Sequence, residues 1–237
     1  ILKFTATQFL SGEILLVDKP QNWTSFDVVN KLRYAISRKT GKLKVGHAGT
    51  LDPLATGLLI ICTGKKTKEL DNYQAQQKEY TGTLKLVATT PSFDAETEEQ
   101  NPMPFDTVTP AMIKDTVKRL TGIIEQTPPQ YSAVKVDGKR AYDMARKDKA
   151  IEIPKRTITI FEFEITNIEF PFIDFRVQCS KGTYIRTLVN DFGQMLGCGA
   201  YMTALRRTKN GLFAIEDAWN LESLIKSIAE IETERQG

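Results

Sequence analysis

A carboxylate on a stiff loop that a ligand can approach closely can act as a nucleophile or as a general base. Asp52 is so placed. It lies within Gly46-His47-Ala48-Gly49-Thr50-Leu51-Asp52-Pro53-Leu54-Ala55-Thr56-Gly57. The glycines let backbone come near a ligand, and Pro53 biases Asp52 toward an extended backbone. On residue type alone Asp52 fits a turn aspartate satisfying local N–H groups better, because Asp is common in turns. Other reactive side chains are few. His47 is the single histidine, and the three cysteines, Cys62, Cys179 and Cys198, are far apart. That set cannot build the usual zinc sites or a disulfide framework. No G-x-S-x-G elbow exists to pair with His47. Gly197-Cys198-Gly199 lacks the third glycine of a dinucleotide fingerprint, Met202 standing in its place. Gly64-Lys65 resembles the end of a phosphate-binding loop, but Leu59 and Lys66 replace its first glycine and its hydroxyl residue. Metal, nicotinamide and nucleotide-hydrolysis chemistry are disfavoured accordingly.

The elements that must carry the Asp52 loop are legible around it. Residues 14–17 form an apolar run closed by Asp18-Lys19-Pro20, a buried strand and then a turn. Thr24 or Ser25 caps a helix to about residue 38, with Val28, Val29, Leu32 and Ile36 at three- and four-residue spacing. The 46–57 segment reads as a structured loop and 58–62 as a buried strand. Residues 80–87 alternate as a strand. Residues 89–108, rich in Thr, Pro and acids, read as an exposed loop. Thr109-Pro110 opens a helix to Leu120 that Gly122 stops. Residues 157–165 form a strand whose alternation slips at Ile160-Phe161, which predicts a bulge or a bend. A strand at 172–179 and a helix at about 185–196 follow. Segments 202–207 and 212–215 flank Asn210-Gly211, a hairpin signal. Asn220 caps a last amphipathic helix bearing Leu221, Leu224, Ile225 and Ile228. Strands outnumber helices without regular β-α-β alternation, so the expected class is α+β with a mixed or mostly antiparallel sheet. The 237 residues, 41% of them hydrophobic, suffice for one domain of ordinary size with a sizeable core.

Five segments in order resemble the motifs of the TruB family of tRNA pseudouridine synthases. Gly46 to Leu59 resembles the catalytic motif and Leu16-Val17-Asp18-Lys19-Pro20 the first motif. Lys78-Glu79-Tyr80 stands where the family keeps its active-site tyrosine. Cys179-Ser180-Lys181-Gly182-Thr183-Tyr184-Ile185-Arg186-Thr187-Leu188 resembles the arginine motif, and Ala204-Leu205-Arg206-Arg207-Thr208 the strand bearing the active-site leucine. The likeness covers about residues 13–208. It implies a pseudouridine synthase fold and isomerisation of a uridine in the tRNA T loop, conventionally position 55, with no cofactor and no metal. It makes Asp52 the catalytic carboxylate, either a nucleophile at ribose C1′ or a base at the C2′ hydrogen. Arg186 pairs with it and favours its charged form. Tyr80 stacks on the uracil, while Tyr184 and Leu205 wall the pocket. Lys19 supports the loop or a phosphate. His47 fills the gap left when the uridine is extruded from its stack.

Net charge is +3, a weak hint of an anionic partner. Lys42, Lys44, Lys65, Lys66 and Lys68 flank the catalytic segment, and a basic excursion at about 125–155 carries Lys135, Lys139, Arg140, Arg146, Lys147 and Lys149 around a short helix near 141–146. Such runs are by default solvated faces; together they could contact tRNA phosphates. The expectation is a single catalytic domain over 1–237, without the separate C-terminal RNA-binding module that many relatives carry. The protein is expected to be cytoplasmic and monomeric, with no membrane segment and no obligate protein partner. The competing readings are a non-catalytic T-arm binder that assists tRNA folding, and a small-molecule enzyme using an Asp-Arg pair.

Overall fold

The computed structural model describes residues 4–104, 106–130, 135–136, 139–140 and 153–231. In chain order the elements are α1 (Ala6–Ser11), β1 (Ile14–Lys19), α2 (Ser25–Thr40), β2 (Val45–Ala48), β3 (Thr56–Thr63), α3 (Leu70–Ala75), β4 (Lys78–Leu86), α4 (Pro110–Arg119) and β5 (Gly122–Gln126). There follow the paired β6 (Lys135–Val136) and β7 (Lys139–Arg140), then β8 (Arg156–Glu169), β9 (Phe172–Cys179), α5 (Ile185–Leu196), β10 (Ala200–Asn210), β11 (Phe213–Ala214), β12 (Trp219–Asn220) and α6 (Leu221–Ala229). The chain divides into two compact units, residues 1–78 with 206–237, and residues 79–205.

The first unit is ordered β12-β1-β3-β10, with β2 on β3 and β11 on β10. Antiparallel β1–β3 and β2–β3 ladders coexist with parallel β1–β12 and β3–β10 pairings, so the sheet is mixed as expected. The run Leu58–Leu59–Ile60–Ile61–Cys62 is apolar without alternation because β3 is covered on both faces. Leu59 and Ile61 join Leu15 and Val17 against Val28, Val29, Leu32 and Ile36 of α2 and Leu221, Leu224 and Ile228 of α6. Ile60 and Cys62 face the other way, onto Leu70, Tyr73 and Phe213. A capping box between Thr24 and Asp27 starts α2, and the Asn220 side chain starts α6.

The second unit is ordered β10-β4-β9-β8-β5. Strand β9 alternates cleanly, burying Ile173, Phe175, Val177 and Cys179. Its hairpin partner β8 shifts register between Ile160 and Glu162, leaving Phe161 52% exposed. The register shift falls where the sequence led us to expect a bulge or a bend. Phe163 packs edge-on against Phe175 and against Phe192 of α5, at ring separations of 6.0 and 5.9 Å.

Three expectations need correction. Residues 46–48 are strand rather than loop, because β2 pairs in register with β3 from Val45↔Thr63 to Ala48↔Ile60. The segment after Leu86 is not wholly exposed: it pairs with β10 at Asp94↔Met202 and buries Thr90, Ser92 and Asp94. The hairpin turn falls one residue late, since Asn210 still pairs with Phe213. The helix expected near 141–146 lies outside the described residues. Among the described residues, no helix is long and apolar enough to cross a membrane.

Candidate active site

In the first unit the loop between β2 and β3 carries Asp52, which is half-buried. Its neighbours on both sides are pinned. Ser25, the first residue of α2, accepts the Leu51 N–H at 2.8 Å on its Oγ and donates that hydroxyl to the Leu51 carbonyl at 3.1 Å. Both residues are buried. The Pro53 carbonyl accepts the Asn22 N–H at 2.8 Å, and the Asp52 carbonyl accepts the Ala55 N–H at 3.1 Å. Lys19 is fully buried at the end of β1. Its ammonium donates to the carbonyls of Trp23 at 2.5 Å, Pro20 at 3.0 Å and Pro53 at 3.5 Å. A buried ammonium is costly unless its three protons find acceptors, and these carbonyls supply them.

Successive residues of β10 point to opposite sides, and the two arginines there do different work. Arg206 forms a two-pronged ion pair with Asp18 of β1, at 3.0 and 2.7 Å, spanning β3. Arg207 is 1% exposed; its Nε donates to the Leu58 carbonyl at 2.7 Å and its Nη2 to the Gly49 carbonyl at 3.1 Å. It thereby ties together the two ends of the Asp52 loop. Gly57 makes this approach possible. Its φ is +101°, and a Cβ there would stand 2.3 Å from the Arg207 carbonyl oxygen.

His47 sits in β2, half-buried, with Nδ1 enclosed and without a hydrogen-bond partner. Burial lowers its proton affinity, and the Arg207 charge lowers it further, against an opposing contribution from the Gly49 backbone. The imidazole is therefore neutral near pH 7. Cys62, also close by in sequence, is pushed up to about 11 by burial and then by Glu69, and so stays an inert thiol. Among the described residues, no group of three or more His, Cys, Asp or Glu side chains stands where it could hold a metal ion.

The second unit holds Tyr80, Tyr184, Arg186 and Leu205. Tyr80 is buried in β4. The preceding Glu79 accepts from Arg176 at 3.3 Å and from Gln178 at 3.0 Å. Leu205 is buried in β10. Tyr184 occupies the N-cap position of α5, and Arg186 is its second residue. Arg186 is 4% exposed, and its guanidinium donates to the Ser92 carbonyl at 3.1 Å. It also forms a 3.4 Å ion pair with Asp94, which is fully buried. Asp94 is itself held by the Ser92 hydroxyl at 2.6 Å and the Glu96 N–H at 3.0 Å. A buried guanidinium needs such a partner, because an uncompensated one costs about 3–5 kcal/mol.

The sequence did not single out Asp94, Asn22 or Gln126, and named Ser25 only as a capping candidate. An aspartate in an acidic stretch and a serine at a helix start carry no mark of such roles; only burial and partners do. Of the flanking lysines, Lys42, Lys44, Lys65 and Lys68 are exposed, while Lys66 pairs with Glu69 at 2.9 Å.

Comparison with known proteins agrees with the motifs. Residues 37–185 match the family model described as TruB family pseudouridylate synthase (N terminal domain), and residues 186–236 match the tRNA pseudouridylate synthase B C-terminal domain. A protein of Flavobacterium johnsoniae named tRNA pseudouridine synthase B is 52% identical, over 94% of this chain and 99% of that one. One of the same name from Phocaeicola vulgatus is 51% identical, over 95% and 97%. A solved chain titled "Crystal Structure of a Cbf5-Nop10-Gar1 Complex" superposes with a TM-score of 0.70 at 28% identity, over 93% of this chain and 55% of that one. This chain thus spans about half the length of that solved chain. The chain belongs to the TruB family of pseudouridylate synthases. It is an enzyme, an isomerase that makes pseudouridine from uridine in RNA.

Proposed function

We propose that the chain isomerises a uridine of the tRNA T loop, conventionally position 55, with Asp52 as its catalytic carboxylate. The names of the 52% and 51% identical relatives support tRNA as substrate. The observation that carries the choice of Asp52 is the immobilisation of its loop. Ser25, Asn22, Lys19 and Arg207 hold the main chain at Leu51, Pro53, Gly49 and Leu58. A turn aspartate with a purely local task would not need so many buried tethers.

The uridine leaves its stack to enter the site, at a cost of a few kcal/mol. The bond from ribose C1′ to uracil N1 breaks, the base turns while bound, and C1′ joins C5. The C5 proton departs and N1 gains one, so the product is an isomer. Ionised Asp52 acts either by attacking C1′ or by taking the C2′ hydrogen. Arg186 favours the ionised form, Tyr80 stacks on the uracil, and Tyr184 and Leu205 bound the pocket. The neutral His47 ring takes the place of the extruded base. Lys19 serves as support for the loop rather than as a phosphate contact, given its burial among carbonyls. The exposed lysines at 42, 44, 65 and 68 meet phosphates, with the excursion at about 125–155 gripping the T arm; most of that excursion lies outside the described residues. The chemistry needs side chains alone, and the enzyme works as a monomer in the cytoplasm.

The test is base-resolution mapping of pseudouridine on bulk tRNA and on a T-arm stem-loop. The unsubstituted chain modifies the T-loop uridine. Asp52→Asn binds the same RNA and makes none. Full activity in Asp52→Asn would falsify the assignment of the carboxylate.

A further inference from the structure

Helix α5 begins unlike α2, α4 and α6. Thr24, Thr109 and Asn220 cap those helices with side-chain oxygens on first-turn N–H groups. Tyr184 holds the corresponding place in α5, and its side chain makes no capping hydrogen bond. Its main chain is clamped instead from 58 residues away. Gln126 ends β5 and is 2% exposed. Its Oε1 accepts the Tyr184 N–H at 2.7 Å, and its Nε2 donates to the Tyr184 carbonyl at 3.0 Å. A carboxamide offers a donor and an acceptor side by side, which matches both polar groups of one residue. The same Tyr184 carbonyl accepts the Leu188 N–H at 3.1 Å, so the clamp acts directly on the first helical turn. Beside it, the Thr187 hydroxyl donates to the Thr127 carbonyl at 3.3 Å.

We propose that Gln126 is a positioning residue for the reaction. It sets the angle at which the chain enters α5, and with it the Tyr184 ring and, two residues on, the base of the Arg186 side chain. The far end of Arg186 is fixed separately by Ser92 and Asp94. Moving the helix start therefore shifts the base of that side chain against an anchored tip. The proposal rests on the reading that Tyr184 and Arg186 serve the uridine site.

Two variants of the full chain test it. Gln126→Glu keeps shape and the acceptor for the Tyr184 N–H, but sets a carboxylate oxygen against the Tyr184 carbonyl. Gln126→Met keeps approximate volume and removes both bonds. In single turnover at saturating T-arm RNA, both rates are expected to fall about 10- to 100-fold, as for a displacement of order 1 Å. RNA affinity stays within about threefold, since the loss falls on the chemical step. Acidifying from about pH 7.5 to about 5.5 protonates the introduced carboxyl, whose pKa burial raises, and restores a donor. Arg156, opposite Gln126 on β8, and Glu125 beside it are both exposed. The ratio of variant to unsubstituted rate should rise with acid for Gln126→Glu and stay flat for Gln126→Met. Should Gln126→Met not fold, the acid series on Gln126→Glu decides alone. Unchanged rates, or rates that fall only in step with thermal stability and show no acid rescue, overturn the proposal. An unsubstituted chain that makes no pseudouridine sinks the functional reading, and this proposal with it. An active parent with variants of unchanged rate sinks this proposal alone.

Discussion

Replacing Ser25 by alanine removes one oxygen and two hydrogen bonds at the residue before Asp52. The Ser25 hydroxyl both accepts from and donates to the main chain of Leu51, at 2.8 and 3.1 Å. With Ser25 1% and Leu51 3% exposed, bulk water does not reach these groups. Each orphaned buried group costs about 1–3 kcal/mol. Partial relaxation of the loop brings the sum to about 3 kcal/mol, a loss of roughly 6–12 °C in thermal midpoint for a chain of this size. That relaxation is what harms the chemistry. A peptide seeking new partners swings Asp52, and misplacement of order 1 Å costs about a hundredfold in rate. The assay is single-turnover pseudouridine formation on a T-arm stem-loop well below the variant's midpoint, with RNA affinity measured in parallel. The expected outcome is a rate down about 10- to 100-fold with affinity unchanged. A folded Ser25→Ala protein with a rate within about twofold of its parent would show that Ser25 does not place the carboxylate.

The single histidine makes its titration easy to follow by NMR: the His47 midpoint should lie below the ordinary 6.5. The folded state then binds fewer protons than the unfolded chain between that midpoint and 6.5, so this residue's contribution to stability is present above 6.5 and lost on acidifying through the window. His47→Gln should flatten that part of the stability profile, and an unchanged profile would count against the burial argument. Gly57→Ala sets a Cβ 2.3 Å from the Arg207 carbonyl at a φ of +101°. It should destabilise by more than about 2 kcal/mol in thermal unfolding, through strain and loss of the β3–β10 pairing.

Local sequence determined the elements whose signals are local. The capped starts of α2 and α6, the apolar run of β3, the alternation of β9 and the phase slip in β8 were all legible, because capping, periodicity and burial act within a few residues. So were the residues with reactive side chains, through their motifs. The β5 strand after Gly122 and the strand character of 46–48 were not, because each depends on a partner strand distant in the chain. The supports of the candidate site were hidden for the same reason. Ser25 meets Leu51 across 26 residues, Gln126 meets Tyr184 across 58, Arg186 meets Ser92 across 94, and Arg207 meets Gly49 across 158. A sequence displays which groups can donate or accept. Only tertiary structure decides which of them lose water and must therefore find each other.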